Sequence, residues 1–235
     1  MAYSALYHTL FSKNKVGGQK RSLNDIIKLF NEKKDFLLKI FSNLIFQLIV
    51  TYIVATKAQG YDISKVHMNF WVFIIPAFIL IFLMAIIQNP FIKFILFTMF
   101  SILFGLMLSY RFMVTNPDVI KTALIGVLGI FVTMFLFTLF LLMIGIEVGS
   151  TFGLFLLMGL IAMIIVLIVS HFMKNYSKYH KIFSGILLFL FSLYIIYDTT
   201  NILIRDFYKG DFISASLDYY LDIINIFVNL LNFSN

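Results

Sequence analysis

Residues 192–231 read SLYIIYDTTNILIRDFYKGDFISASLDYYLDIINIFVNLL. Two apolar runs flank the polar turn Arg205-Asp206-Phe207-Tyr208-Lys209-Gly210-Asp211, and each run carries an acid, Asp198 in the first and Asp222 in the second. An ionisable side chain inside a membrane span costs at least about 2.5 kcal/mol, so its presence points to function. Both acids lie twelve residues from Gly210, which puts them at similar depth if the runs are antiparallel helices. Tyr194, Asp198, Asn201 and Arg205 recur at i, i+4, i+7 and i+11 on one helix face, and Asp218, Asp222, Asn225 and Asn229 repeat that pattern on the other. The remaining positions are mostly Ile, Leu, Phe and Val. Such a pattern turns the polar faces inward, toward each other or a water-filled path, and the apolar faces toward lipid.

Composition agrees with a membrane setting. The chain has 235 residues, 61% hydrophobic and only 12% charged, against roughly a quarter charged in soluble domains. It reads as one membrane domain, 35–235, preceded by a basic tail, 1–34. Cysteine is absent, which excludes disulfides, thiolate metal sites and a thiol nucleophile. The net charge of +7 does not imply nucleic acid. Eight of the eighteen basic residues precede residue 40, where they set orientation and attract anionic lipid. Within the tail, Ser22 to Lys34 places Leu23, Ile26, Ile27 and Phe30 on one face of a short amphipathic helix suited to a membrane surface. The charged stretch is too long for a signal peptide.

The spans follow in order at about 35–56, 70–87, 91–110, 119–143, 151–173, 182–203 and 212–231, each near the roughly 20 residues that cross a bilayer as a helix. Asn89-Pro90 and Asn116-Pro117-Asp118 mark breaks, with proline at a helix start. Pro76 lies inside the second span and kinks it or loosens its first turn; Trp71 suits an interfacial anchor. In the first span, Gln47 and Thr51 stand one turn apart and are expected to bond across to another helix. Gly145-Ile-Glu147-Val-Gly149-Ser150 reads as a short exposed loop. The seventh span's polar stripe also admits a re-entrant segment. The basic tail argues for a cytosolic N-terminus, although the later loops do not reinforce it.

Two carboxyls close together in low dielectric resist double ionisation, so they share a proton and titrate as a unit. Protonated, the pair locks two helices. Deprotonated, it repels, admits water and offers hard oxygen ligands to a passing cation such as calcium. The blander reading is interhelical hydrogen bonding, which asparagine or serine would supply at lower cost. Asp218, one turn before Asp222, extends the acidic path or is solvated near the interface. Arg205 partners Asp206 or an acid across the hairpin, or snorkels to the interface. His171 and His180 flank a lysine-rich loop and form no metal cluster. Tyr197-Asp198 matches half of an intramembrane aspartyl protease site. The other half, Gly-x-Gly-Asp, is missing: Asp222 follows Tyr-Leu, Gly210-Asp211 lacks the first glycine, and there is no Pro-Ala-Leu segment. The reading is non-enzymatic and without a cofactor.

Ile195-Ile-Tyr-Asp198-Thr199, followed after a turn by Ser214-Ala-Ser-Leu-Asp218-Tyr-Tyr-Leu-Asp222-Ile-Ile-Asn225-Ile-Phe227, resembles the transmembrane Bax inhibitor motif family. The resemblance implies an all-α, polytopic, seven-transmembrane helix bundle with the last helix central. It further implies a calcium leak controlled by proton exchange at Asp198 and Asp222, with calcium as the permeant ion held transiently by those two acids. Asp218, Asn201, Asn225, Tyr194 and Arg205 would line or support the path. The expected partners are the bilayer, calcium ions and protons. Relatives are implied to suppress cell death by lowering calcium stores, in the plasma membrane of bacteria and in endoplasmic reticulum or Golgi membranes elsewhere. Two departures stand out. Thr200 replaces a frequent glutamine, and residues 70–87 lack the basic residue linked to the aspartates in some members, so Arg205 or an asparagine would have to replace that contact.

Overall fold

The computed structural model describes residues 20–60, 70–171 and 176–234. The tail to residue 19, with Lys13 and Lys15, and most of the loops after the first and fifth spans lie outside them, as does the side chain of Trp71. Seven α-helices account for nearly all the rest: α1 (Leu23–Lys57), α2 (Phe70–Ile86), α3 (Pro90–Val114), α4 (Pro117–Met143), α5 (Ser150–His171), α6 (Tyr176–Leu203) and α7 (Phe212–Ser234). The all-α, seven-helix expectation holds.

Local chemistry sets the helix ends. Ser22 and Asp25 form a reciprocal cap: the Ser22 amide donates to Asp25 Oδ2 (2.8 Å) and the Asp25 amide to Ser22 Oγ (3.3 Å). No glycine or proline follows before Lys57, so the amphipathic stretch and the first span are one helix of 35 residues rather than two. Asn89 caps α3 by accepting from the Phe91 and Ile92 amides, with Pro90 at the first helical position. Gly145 adopts φ 86° and ends α4, with the Ile146 amide donating to the Leu141 carbonyl and the Gly145 amide to that of Leu142. α2 runs through Pro76 without interruption.

Five helices, α1, α3, α4, α5 and α6, contain stretches long and apolar enough to cross a bilayer. Phe78, Ile125, Leu128, Phe155 and Phe189 are among many large apolar side chains left bare, a surface that only lipid makes favourable. Helix α7 is the opposite case. Ala215, Ser216, Leu217, Tyr219, Tyr220, Ile224, Ile226 and Phe227 are all buried. These positions encircle the helix, so protein surrounds it, and its two acids and three asparagines are shielded from lipid.

The chain divides into two compact units, and α1, α4 and α7 each contribute to both. One comprises Lys34–Thr122 and Tyr208–Leu221. Its core is a polar seam running along α1. Asn43 Nδ2 donates to Ser216 Oγ (2.6 Å), Gln47 Nε2 donates to Thr98 Oγ1 (3.2 Å), and Gln47 Oε1 accepts from Ser101 Oγ (2.9 Å). Thr51 Oγ1 shares a 2.6 Å hydrogen bond with the Tyr220 hydroxyl. The cross-helix bonding expected of Gln47 and Thr51 is therefore present. Around it, Tyr220 meets Phe97, Phe100 and Phe104 edge-on. At Gly105 the backbones of α1 and α3 approach so closely that a Cβ would stand 2.8 Å from the Thr51 carbonyl oxygen.

The other unit gathers the residues up to Lys33, Ala123–Phe207 and Asp222 onward. Here α5 packs on α6, and Gly153 leaves the space that the Tyr197 ring occupies. Glu147, expected in an exposed loop, is half-buried and ion-paired to Arg21 at 2.7 Å. The Arg21 amide also donates to the Met143 carbonyl (3.3 Å), so the chain preceding α1 docks on the α4–α5 turn.

Candidate functional site

Helices α6 and α7 bring Asp198 and Asp222 into the same unit, and both are withdrawn from solvent, at 5% and 4% exposure. Tyr194, partly buried one turn before Asp198 on α6, lies within electrostatic reach of both carboxyls. These three side chains form the centre of the site. The turn between α6 and α7 spans 204–211, so it is not centred on Gly210. Asp198 lies five residues before the end of α6, whereas Asp222 lies ten after the start of α7. At 1.5 Å per residue the acids stand about 8 and about 15 Å along their helices from the turn. Counted along the helices, the two acids are therefore not equidistant from the turn. Tyr194, nine residues before the end of α6, is within electrostatic reach of both acids.

Asn201, the next member of the α6 stripe, is 1% exposed, and neither atom of its side-chain amide has a hydrogen-bond partner among the described residues. Asn225 on α7 is partly buried, and its carbonyl accepts from Asn229 Nδ2 (2.8 Å). Asp218 is partly buried and accepts a 2.7 Å hydrogen bond from the Tyr208 hydroxyl; the turn folds back onto the first half of α7 through this contact. Arg205 is partly buried beyond the end of α6 and makes no ion pair among the described residues. Asp206 instead faces Lys33 at 3.8 Å, an exposed pair worth little.

Lys93 was not singled out by the sequence reading. It occupies the first turn of α3, 4% exposed, and its ammonium group is ion-paired with Asp211 and donates to Ser214 Oγ at 3.0 Å. Asp211 in turn caps α7, accepting from the Ser214 amide (3.1 Å) and hydroxyl (2.8 Å). Burial works against the charge of Asp211, but the hydrogen bonds from Lys93 and Ser214 outweigh it and hold the carboxyl below the usual carboxylate range. The available cue was a lone lysine in an otherwise apolar run. Its partner, more than a hundred residues away, gave no cue.

Among the described residues no group of three or more His, Cys, Asp or Glu side chains converges. Two carboxyls supply at most four oxygens, where calcium takes six to eight ligands.

The sequence comparisons fit this architecture. The family described as "Inhibitor of apoptosis-promoting Bax1" matches residues 33–235. Bax inhibitor 1 of Schizosaccharomyces pombe is 30% identical over 207 residues, covering 83% of this chain and 74% of the yeast protein. The match takes in every helix except the first turns of α1 and includes both buried acids, and on that extent the chain belongs to the Bax inhibitor family.

Proposed function

We propose that this membrane protein is a pH-sensitive calcium leak in which Asp198 and Asp222 form the proton-sensing gate. The reading rests on one observation above the others: two buried acids on different helices both lie within electrostatic reach of Tyr194. Charge on one acid opposes charge on the other, so the pair passes through a state with a single proton. In that state a protonated carboxyl or the Tyr194 hydroxyl donates to the remaining carboxylate and holds α6 against α7. Loss of the last proton leaves two like charges in low dielectric, which favours water entry and a transient cation. Asn201, Asn225 and Asp218 line or support the route, and Arg205 stands at its turn-side end. Calcium and protons are the permeant and controlling ions. Depletion of a calcium store is the means by which such a leak bears on cell death, the process named in the family's description.

Purified protein in liposomes loaded with a calcium indicator tests this. Calcium flux should change with pH in the native chain, and both Asp198→Asn and Asp222→Asn should remove that dependence while keeping helical content. Absence of flux at every pH from a well-folded protein would exclude the leak and favour a membrane scaffold that acts through bound partners. Saturable uptake of a solute would instead indicate proton-coupled transport.

A further inference from the structure

We infer that Asn201 binds water inside the membrane domain and forms the aqueous exit of the acid site toward the α6–α7 turn. This rests on the proposed role of the acids but is tested separately from it. Asn201 is 1% exposed, and among the described residues both its amide oxygen and its amide nitrogen lack a hydrogen-bond partner. Burying an amide in this way is costly, whereas a leucine of similar volume would carry no such penalty. Nearby groups show that local satisfaction is available. Thr200 Oγ1 donates back to the Ile196 carbonyl at 2.8 Å, and on α7 the Asn229 amide donates back to Asn225. Asn201 does neither. An amide held open in this manner is matched to a ligand that both donates and accepts, which is the chemistry of water or of a water in the shell of a hydrated cation.

Its place on α6 gives the direction. Asn201 follows Asp198 by one turn, and Arg205 follows Asn201 by one more, beyond the helix end and partly exposed, beside exposed Asp206. The stripe therefore grades from the buried acid through an unsatisfied amide to the solvated turn. No comparable gradation runs the other way along α6, where Leu190, Phe191 and Leu187 precede Tyr194. Water entering at the turn reaches Asn201 before it reaches Asp198.

The chain lacks cysteine, so single cysteines report without background. Asn201→Cys in sealed vesicles should react with a charged, membrane-impermeant methanethiosulfonate at least about tenfold faster than Ile202→Cys, because the reactive thiolate forms only where water reaches. Ile202 is the right control, being equally buried at 1% exposure. Equal, slow labelling of the two would overturn the inference. Should Asn201→Cys not fold, Asn201→Leu decides: an unchanged or raised melting temperature supports a water-facing amide, and a fall of several degrees shows that the amide is bonded within the protein. If the native chain conducts no calcium, the leak reading fails, while fast labelling at position 201 still establishes the water site and slow labelling still removes it.

Discussion

Lys93 shows how much a single side chain can settle. A lysine 4% exposed in the first turn of a membrane helix would be prohibitive without its partners, Asp211 and Ser214. It ties the start of α3 to the start of α7 through Asp211, the residue that caps α7. Lys93→Met should destabilise the protein by roughly 2 kcal/mol, the range for a hydrogen bond to a charged group, read as a lower thermal midpoint in detergent. The same contact sets a pH dependence. Asp211 is held below its ordinary value of about 3.9, so its contribution is fully present above that pH and is lost as acidity rises through the lower, folded value. Thermal midpoints of the native chain should therefore fall below about pH 3.9 more steeply than those of Lys93→Met; parallel curves would contradict the assignment. Tyr208 supplies a milder test. Tyr208→Phe removes one hydrogen bond to Asp218 and should cost about 1 kcal/mol, measured in the same way.

At the scale of the elements, α1, α3 and α7 are held by the Asn43–Gln47–Thr51 seam and by close backbone approach at Gly105. Two glycine substitutions separate the effects of packing and propensity. Gly105→Ala pushes a methyl group to within 2.7 Å of Val54 Cβ and 2.8 Å of a carbonyl oxygen, an overpacking that costs about 1–3 kcal/mol. Gly129→Ala on α4 meets nothing within 4 Å and should stabilise by about 1 kcal/mol through helix propensity alone. Opposite shifts in thermal midpoint are expected, and equal shifts would deny that α1 and α3 touch at Gly105. The elements themselves were legible in the sequence where a physical stop exists. Asn89-Pro90 and Asn116-Pro117 place the starts of α3 and α4 to within two residues. Where no stop exists, legibility fails: nothing between Ser22 and Lys57 ends a helix, so hydropathy alone suggested a division that hydrogen bonding does not make.

For the molecule as a whole, the polar stripe of the last helix carried the most information. Two acids and three asparagines among isoleucines and phenylalanines have to be kept from lipid, and α7 is indeed enclosed by protein. The acids were identifiable from cost alone. The bounds of the turn between them, 204–211, were not, and neither was Lys93, whose meaning lies in a contact distant in sequence. The polar seam was half legible: Gln47 and Thr51 declared a need for partners, but Ser101, Ser216 and Tyr220 emerge only from the packing.

In the proposed gate, Asp198 and Asp222 titrate as one coupled unit within the membrane domain. Infrared spectroscopy of isotope-labelled aspartate, followed against pH in the native chain, Asp198→Asn and Asp222→Asn, measures it directly. The account predicts two well-separated protonation steps from the pair in the native protein, and one step in either single variant, at a pH displaced from both native steps. Two acids that titrate independently, each with the same midpoint whether or not the other is present, would contradict it.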